Sequence, residues 1–488
     1  MSFQNNHNGR TGLYILFGLG AFMLILAGAI TYVSQAFPYG HRDTLSLWTY
    51  IALAAMMGGV LIGFWILVSR LKPNIPVLAF IFAIGLIARL MMFSSNPVLE
   101  DDWHRYLWDG ASVVNGVDPY EFAPAQASLA NPFGDEINLS DDPDLRTLQE
   151  LSQENEIVHS RINYPFLKTI YPPAAQAAFG AAHIIAPFNL NGWRTVLLGV
   201  DIISFCLIIW ALGLFGRSYL WVGLYWWNPI VLLEVFNSGH MDGLIIPFLV
   251  AALGLAKLDK MGFAVTALAG AAAVKLWPIL LAPLLVRKYM FDPKRLIPLA
   301  VLFCLITLTL LWPQLRHVFG DPNQGLVAYS EGWRRHAFLY ALLVEGPFSV
   351  FTDPIASARL FVLITVSIGA LWLALRNRGT VSDITRESDM AAGMLAITAL
   401  LLFLSPTGYP WYQVWLAGLI PFAPRLGFMV LITTAPIYYT RFILGDENPI
   451  YQWGWVSLAF GLPLILLLIP ERYWRKLGRD KALEPGAQ

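Results

Sequence analysis

Residues 48–93 read WTYIALAAMMGGVLIGFWILVSRLKPNIPVLAFIFAIGLIARLMMF. Two apolar runs, 48–68 and 76–93, flank a short polar link that carries Arg70 and Lys72. A hydrocarbon layer about 30 Å thick is crossed by roughly 20 apolar residues in a helix. Both runs suit that requirement, and the pair predicts two membrane spans. Lys and Arg favour cytoplasmic loops, so the 69–75 link is expected inside.

The same pattern recurs outward from this pair. A run at 11–33 precedes it, and runs at 195–215, 219–236, 296–312, 356–375, 390–404, 426–443 and 450–470 follow. Shorter apolar pieces at 172–187, 243–256, 337–350 and 412–423 read as short spans or re-entrant segments. The stretch 263–286 is long but interrupted by Lys275 and Pro278. The expected count is eleven to fourteen crossings in an all-α polytopic membrane protein. Composition agrees: 57% of the 488 residues are hydrophobic and 13% are charged, where a soluble domain carries about 25% charge. A net charge of zero provides no basic arm for nucleic acid. Cys206 and Cys304 both lie in apolar runs, so neither reads as half of an extracellular disulfide. The 11–33 run is long for a signal-peptide core and lacks an A-x-A-like cleavage site, so it is expected to remain as the first span.

Charge sets the expected sidedness. Arg287, Lys288, Lys294 and Arg295 place 287–295 inside, and Arg376, Arg378 and Arg386 do so for 376–389. Arg472, Arg475, Lys476, Arg479 and Lys481 put the C-terminal tail inside. With the N-terminus also inside, 94–170 falls outside, and its fourteen acidic against four basic residues suit that face. The segments 313–336 and 405–411 are expected there too. Between 170 and 260 the parity stays open, since Arg194, Arg217, Lys257 and Lys260 cannot all be inside if every short segment crosses.

The outer loop opens on Glu100-Asp101-Asp102-Trp103-His104-Arg105-Tyr106-Leu107-Trp108-Asp109-Gly110. If 101–115 is helical, Asp101, Arg105 and Asp109 share one face at i, i+4, i+8. A carboxylate fixed at the water–lipid boundary can take a proton from an acceptor hydroxyl. The plain structural alternative is a solvated helix start, with acids favoured by the helix dipole and Arg105 in a salt-bridge ladder.

The string Asp101-Asp102-x-x-Arg105-Tyr106-Leu107-Trp108-Asp109-Gly110, followed by Gly116-x-x-Pro119-Tyr120, resembles the first-loop motif of glycosyltransferases of the C superfamily. It looks closest to bacterial polyprenyl-phosphate-sugar-dependent mannosyltransferases, and is similar to the mannosyltransferase that adds the first mannose of GPI anchors. The resemblance implies a membrane-embedded transferase with a lipid-phosphate sugar donor, and makes the first acid of the motif the proposed base. Trp103 stands where an Asp-x-Asp pattern beginning at Asp101 would place its second acid. Both Asp101 and Asp102 therefore stand as candidate catalytic residues.

Other polar groups complete the candidate set, each with a bland counterpart. Tyr171, in Ile170-Tyr171-Pro172-Pro173, can contact a sugar or phosphate or serve as an interfacial anchor. His240 and Asp242, in Asn237-Ser238-Gly239-His240-Met241-Asp242-Gly243, can hydrogen-bond a sugar or form a polar turn, but lack the further ligands a metal site usually needs. Lys275 is an ionisable group within an apolar segment, a functional candidate by default or a snorkelling lysine. Arg334 and Arg335 can grip a phosphate or pair with acids of the large loop. Trp411 and Tyr412, in Pro410-Trp411-Tyr412, can stack on a sugar or belong to the aromatic belt. Glu100, Arg105 and Asp109 are grouped with these as substrate-binding.

These readings converge on a hexosyltransferase, most simply of mannose, acting on the outer face of an inner or plasma membrane. It would move the sugar from a polyprenyl phosphate to a lipid or glycan acceptor with inversion. No nucleotide site is required, and a divalent metal at the acids is compatible with the reading but not demanded by it. The expected organisation is an N-terminal hairpin at 1–75, a transferase core at 76–425 including the loop 94–170, and a C-terminal hairpin with a basic tail at 426–488. A transporter or flippase for a sugar or lipid-linked substrate is the rival from another class, with Lys275 and the His240/Asp242 pair as a proton relay.

Overall fold

The computed structural model describes residues 2–128, 139–318, 324–376 and 388–469. The basic tail from Arg472 onward and the basic residues Arg378 and Arg386 lie outside them. The described chain is helical, with only an isolated bridge between Arg335 and Thr407. Among the described residues, eight helices are long and apolar enough to cross a membrane: Thr11–Ser34, Thr44–Val68, Ile75–Met92, Leu190–Leu214, Pro293–Val318, Pro354–Arg376, Leu426–Leu444 and Ile450–Leu468. This establishes an all-α polytopic membrane protein. Further apolar runs fold as shorter or broken pieces. Met261–Val274 and Met390–Leu404 are apolar but shorter, and the run from 231 to 257 is interrupted at 238–240. Cys206 and Cys304 are free thiols.

The chain forms two compact units. The first comprises 1–98, 203–237 and 335–488. Its helices approach closely where glycine removes the side chain. A β-carbon on Gly58 would fall 2.4 Å from the Thr433 hydroxyl, so Thr44–Val68 and Leu426–Thr434 meet backbone to side chain. Arg89 is fully buried here. It donates to the carbonyls of Gly85 (3.0 Å) and Trp226 (2.7 Å) and lies 3.6 Å over the Trp226 ring. Asn237 bonds Ser95 Oγ, the Asn96 carbonyl and the Val98 amide. It thereby ties together two points at which the chain leaves this unit, just before Leu99 and just before Ser238.

The second unit comprises 99–202 and 238–334. Asp102–Val114 packs on Pro173–Ile185 so tightly that a β-carbon on Gly110 would sit 2.3 Å from the Phe179 carbonyl oxygen. Tyr106, Phe179, Tyr171 and Trp193 form an aromatic core around this crossing, with Tyr106 and Phe179 stacked at 4.6 Å. The outer part of the loop folds into Pro143–Glu154, capped by the Asp142 carboxylate, and Glu156–Ser160, capped by Asn155. Met261–Val274 ends at Lys275, whose backbone is extended and which precedes Pro278 by three residues.

Candidate active site

The second unit holds ten of the thirteen side chains singled out in the sequence. Leu99 adopts a left-handed backbone (φ 59°), which turns the chain sharply before Glu100. Asp101 and Asp102 begin the helix Asp102–Val114, yet the Asp101 side chain does not cap it. Both carboxylates instead accept from one amide. Asn163 Nδ2 donates to Asp101 Oδ1 at 2.9 Å and to Asp102 Oδ1 at 2.6 Å. On the other side His240 lies between two acids, its Nε2 3.6 Å from Glu100 Oε2 and its Nδ1 3.7 Å from Asp102 Oδ2. Those spacings exceed a direct hydrogen bond. Asp102 keeps 25% of its side-chain surface exposed, against 8% for Glu100 and none for His240. Of these three it is the group a substrate can touch.

His240 owes its place to the loop before it. Gly239 has φ 78°, a conformation that favours glycine, and its carbonyl accepts from Trp193 Nε1 at 2.6 Å. Two residues further, Asp242 is buried and ion-paired with Lys275, Nζ to Oδ1 at 2.6 Å. The helix break at Lys275 releases its side chain toward Asp242, and 26% of that side chain stays exposed. The two partners come from segments 33 residues apart.

Electrostatics separates the two acids. Burial pushes the Asp101 carboxyl above its ordinary range, and the Asn163 hydrogen bond pulls it back. Asp102 is pushed up to about 6, first by burial and then by the charge of Asp101; Asn163 and the charge of Lys275 oppose the rise. Burial drives His104 down to about 4, so it is neutral at pH 7. Its Nδ1 lies 3.1 Å from the Asp101 carbonyl.

Arg105 and Asp109 are held in a buried network. Arg105 Nε donates to Asp109 Oδ1 at 2.7 Å and Nη1 to the Leu167 carbonyl at 2.9 Å. Asp109 Oδ2 accepts from Thr169 Oγ1 (2.6 Å) and Gln176 Nε2 (2.9 Å). The expected i, i+4 pair forms between 105 and 109, while Asp101 leaves the ladder for Asn163. The network locks the acid-bearing helix to the segment 167–176. Tyr171 sits in the aromatic core, 5.0 Å from Tyr106, and its carbonyl accepts from the Tyr120 hydroxyl. Arg334 is exposed near the end of this unit's chain.

Arg335, Trp411 and Tyr412 belong to the first unit. Arg335 Nη1 donates to Asp446 Oδ2 at 2.8 Å, and Arg441 grips the same carboxylate. Arg335 therefore pairs with an acid far from the large loop. Trp411 stacks on Tyr409 at 4.4 Å and Tyr412 on Trp415 at 4.6 Å, all largely buried.

Asn163, Thr169, Gln176 and Trp193 were not foreseen. Each acts on a partner 7 to 67 residues away along the chain, and no local periodicity marks them. Among the described residues, no group of three or more His, Cys, Asp or Glu side chains is arranged to hold a metal.

A polytopic helical membrane protein with carboxylates, a histidine and a lysine gathered in one compact unit is the class defined by fold and site. Over 411 residues the chain is 23% identical to Alpha-(1->6)-mannopyranosyltransferase A of Mycobacterium tuberculosis, covering 78% of this chain and 73% of that protein. The similarity agrees with the likeness to membrane glycosyltransferases of the C superfamily carried by the first-loop motif. No protein-family model and no solved structure matches the chain.

Proposed function

We propose that the chain is a membrane hexosyltransferase that moves mannose from a polyprenyl phosphate to a lipid or glycan acceptor on the outer face of an inner or plasma membrane. The observation that carries this reading is the partly exposed Asp102 carboxylate, with its pKa lifted to about 6 beside Asp101 and with His240 against its second oxygen. A base poised just below neutral pH is ionised at work and still basic enough to take a hydroxyl proton.

The step is a single displacement. Asp102 Oδ accepts the acceptor's hydroxyl proton as that oxygen bonds to the anomeric carbon. The bond from that carbon to the donor phosphate breaks, and lipid phosphate leaves with the electron pair. The anomeric centre inverts. Asn163 keeps both carboxylates oriented. Lys275 supplies the nearby positive charge, shared with Asp242, that offsets charge growing on the leaving phosphate. Family likeness puts the base at the first acid, Asp101. The raised pKa of Asp102 and its closeness to His240 favour the second.

The test is transfer from polyprenyl-phosphate mannose by Asp102→Asn and Asp101→Asn. The assignment predicts a loss of 100-fold or more in kcat for D102N, on the order of general-base catalysis, and a smaller loss for D101N. Full activity in D102N would remove Asp102 from this role. The rival carrier reading would make Asp242–Lys275 a proton relay; counterflow of labelled solute without a covalent product would support it instead.

A further inference from the structure

Asn163 is followed by Tyr164, Pro165 and Phe166, and this short loop is pinned along its length. Asn163 holds the two acids, the Pro165 carbonyl accepts from the Ala125 amide at 2.9 Å, and the Leu167 carbonyl accepts from Arg105. Within it Tyr164 has φ 48°, a left-handed conformation that costs a non-glycine residue of order 1 kcal/mol and persists only where surroundings enforce it. The strained turn sends Asn163 to the acids while 49% of Tyr164 stays exposed.

Tyr164 does not stand alone. Its ring centroid is 4.7 Å from that of Trp333 with the planes at 56°, and Trp333 is 5.7 Å from Tyr329. Trp333 caps the helix Gly325–Gly332, which is seated on the same loop: a β-carbon on Gly325 would fall 2.4 Å from the Lys168 carbonyl. The tilt leaves the rings splayed rather than face to face, so an aromatic face remains open one residue from the group that holds the acids. Tyr164 directly follows Asn163, their Cα atoms about 3.8 Å apart, so the open ring belongs to the same turn that orients Asp101 and Asp102.

We propose that Tyr164, Trp333 and Tyr329 form a stacking platform for a pyranose ring beside the acid pair, a subsite for one sugar of the transfer reaction. The inference rests on the transferase reading. A pyranose presents a face of C–H groups that matches an aromatic face, and its rim hydroxyls then point sideways. The platform fixes which hydroxyl or which anomeric carbon meets the base. Both donor hexose and a sugar-bearing acceptor offer this chemistry.

The experiment uses full-length protein in lipid, with Trp333→Ala, Tyr164→Ala and the conservative Trp333→Phe. Steady-state transfer is measured with donor and acceptor varied separately. W333A is expected to raise one KM about three- to tenfold, the range of an aromatic stacking contact, with W333F in between. A rise in acceptor KM assigns the ring to the acceptor, and a rise in donor KM assigns it to the donor. A loss in kcat with both KM values unchanged, or no loss at all, overturns the platform and leaves these rings as an interfacial belt. Saturation-transfer NMR with methyl α-mannopyranoside gives a readout free of catalysis: signal on the ring protons in the parent, lost in Y164A/W333A. Absence of turnover in the parent with this binding intact would sink the transferase reading alone; absence of the NMR signal in the parent sinks the platform.

Discussion

Asp102 is an acid whose charge the folded protein resists, and its neighbours set how strongly. Burial and Asp101 raise its pKa, while Asn163 and Lys275 lower it. If Asp102 is the base, kcat/KM falls tenfold per pH unit below about 6. Replacing Asp101 by Asn removes a raising charge, so the midpoint moves to lower pH. Asn163→Ala removes a lowering hydrogen bond, so the midpoint moves up. A pH–rate series on the three proteins checks both signs, and a profile unmoved in either variant contradicts the electrostatic account. The consecutive acids were legible in the sequence because they stand together. Their partner was not, because Asn163 meets Asp102 across 61 residues and nothing local marks it. Arg105 and Asp109 show the reverse. Their spacing made the ion pair readable, but only the fold shows that Thr169, Gln176 and the Leu167 carbonyl also bond to it in a buried setting.

At the scale of elements, the acid pair is held where it is by one helix crossing. Gly110 of Asp102–Val114 lies on the backbone of Pro173–Ile185. Gly110→Ala drives a methyl group into the Phe179 carbonyl and is expected to cost about 1–3 kcal/mol as the helices separate. Gly180→Ala is its control, since a β-carbon there meets only side-chain atoms at 3.4 Å and beyond. Thermal unfolding in detergent should show a lower midpoint for G110A and little change for G180A. Equal midpoints would contradict the close crossing. The long spans were legible because each satisfies its own backbone over the full membrane depth. The region 219–245 was not. It folds as short pieces, among them the π-helix Val231–Asn237 and the 3₁₀ turn Met241–Ile245, whereas Lys275 and Pro278 marked the later break in the sequence itself. Every residue from 220 to 246 is buried. Irregular backbone is tolerated at such depth only where protein groups satisfy it, as Trp193 does for Gly239. Such satisfaction comes from distant residues, and apolar run length does not reveal it.

Across the whole molecule, the charge pattern assigns sides. The acidic loop 94–170 is proposed to face outward and the basic loop 287–295 inward. In a background with Cys206 and Cys304 replaced by Ala, Glu150→Cys should react with a membrane-impermeant maleimide in intact cells. Lys294→Cys should react only after the membrane is opened. The opposite pattern would move the acid pair to the inner face and with it the proposed site of transfer.

The central claim is that this chain moves a hexose from a lipid phosphate by means of Asp102. Mass spectrometry of the products formed by purified protein in lipid, given polyprenyl-phosphate mannose and a panel of glycan and lipid acceptors, tests it most directly. The account predicts an acceptor heavier by one hexose, released lipid phosphate, and loss of both in D102N. Donor recovered intact with every acceptor, or the same product from D102N at the parent's rate, would contradict it.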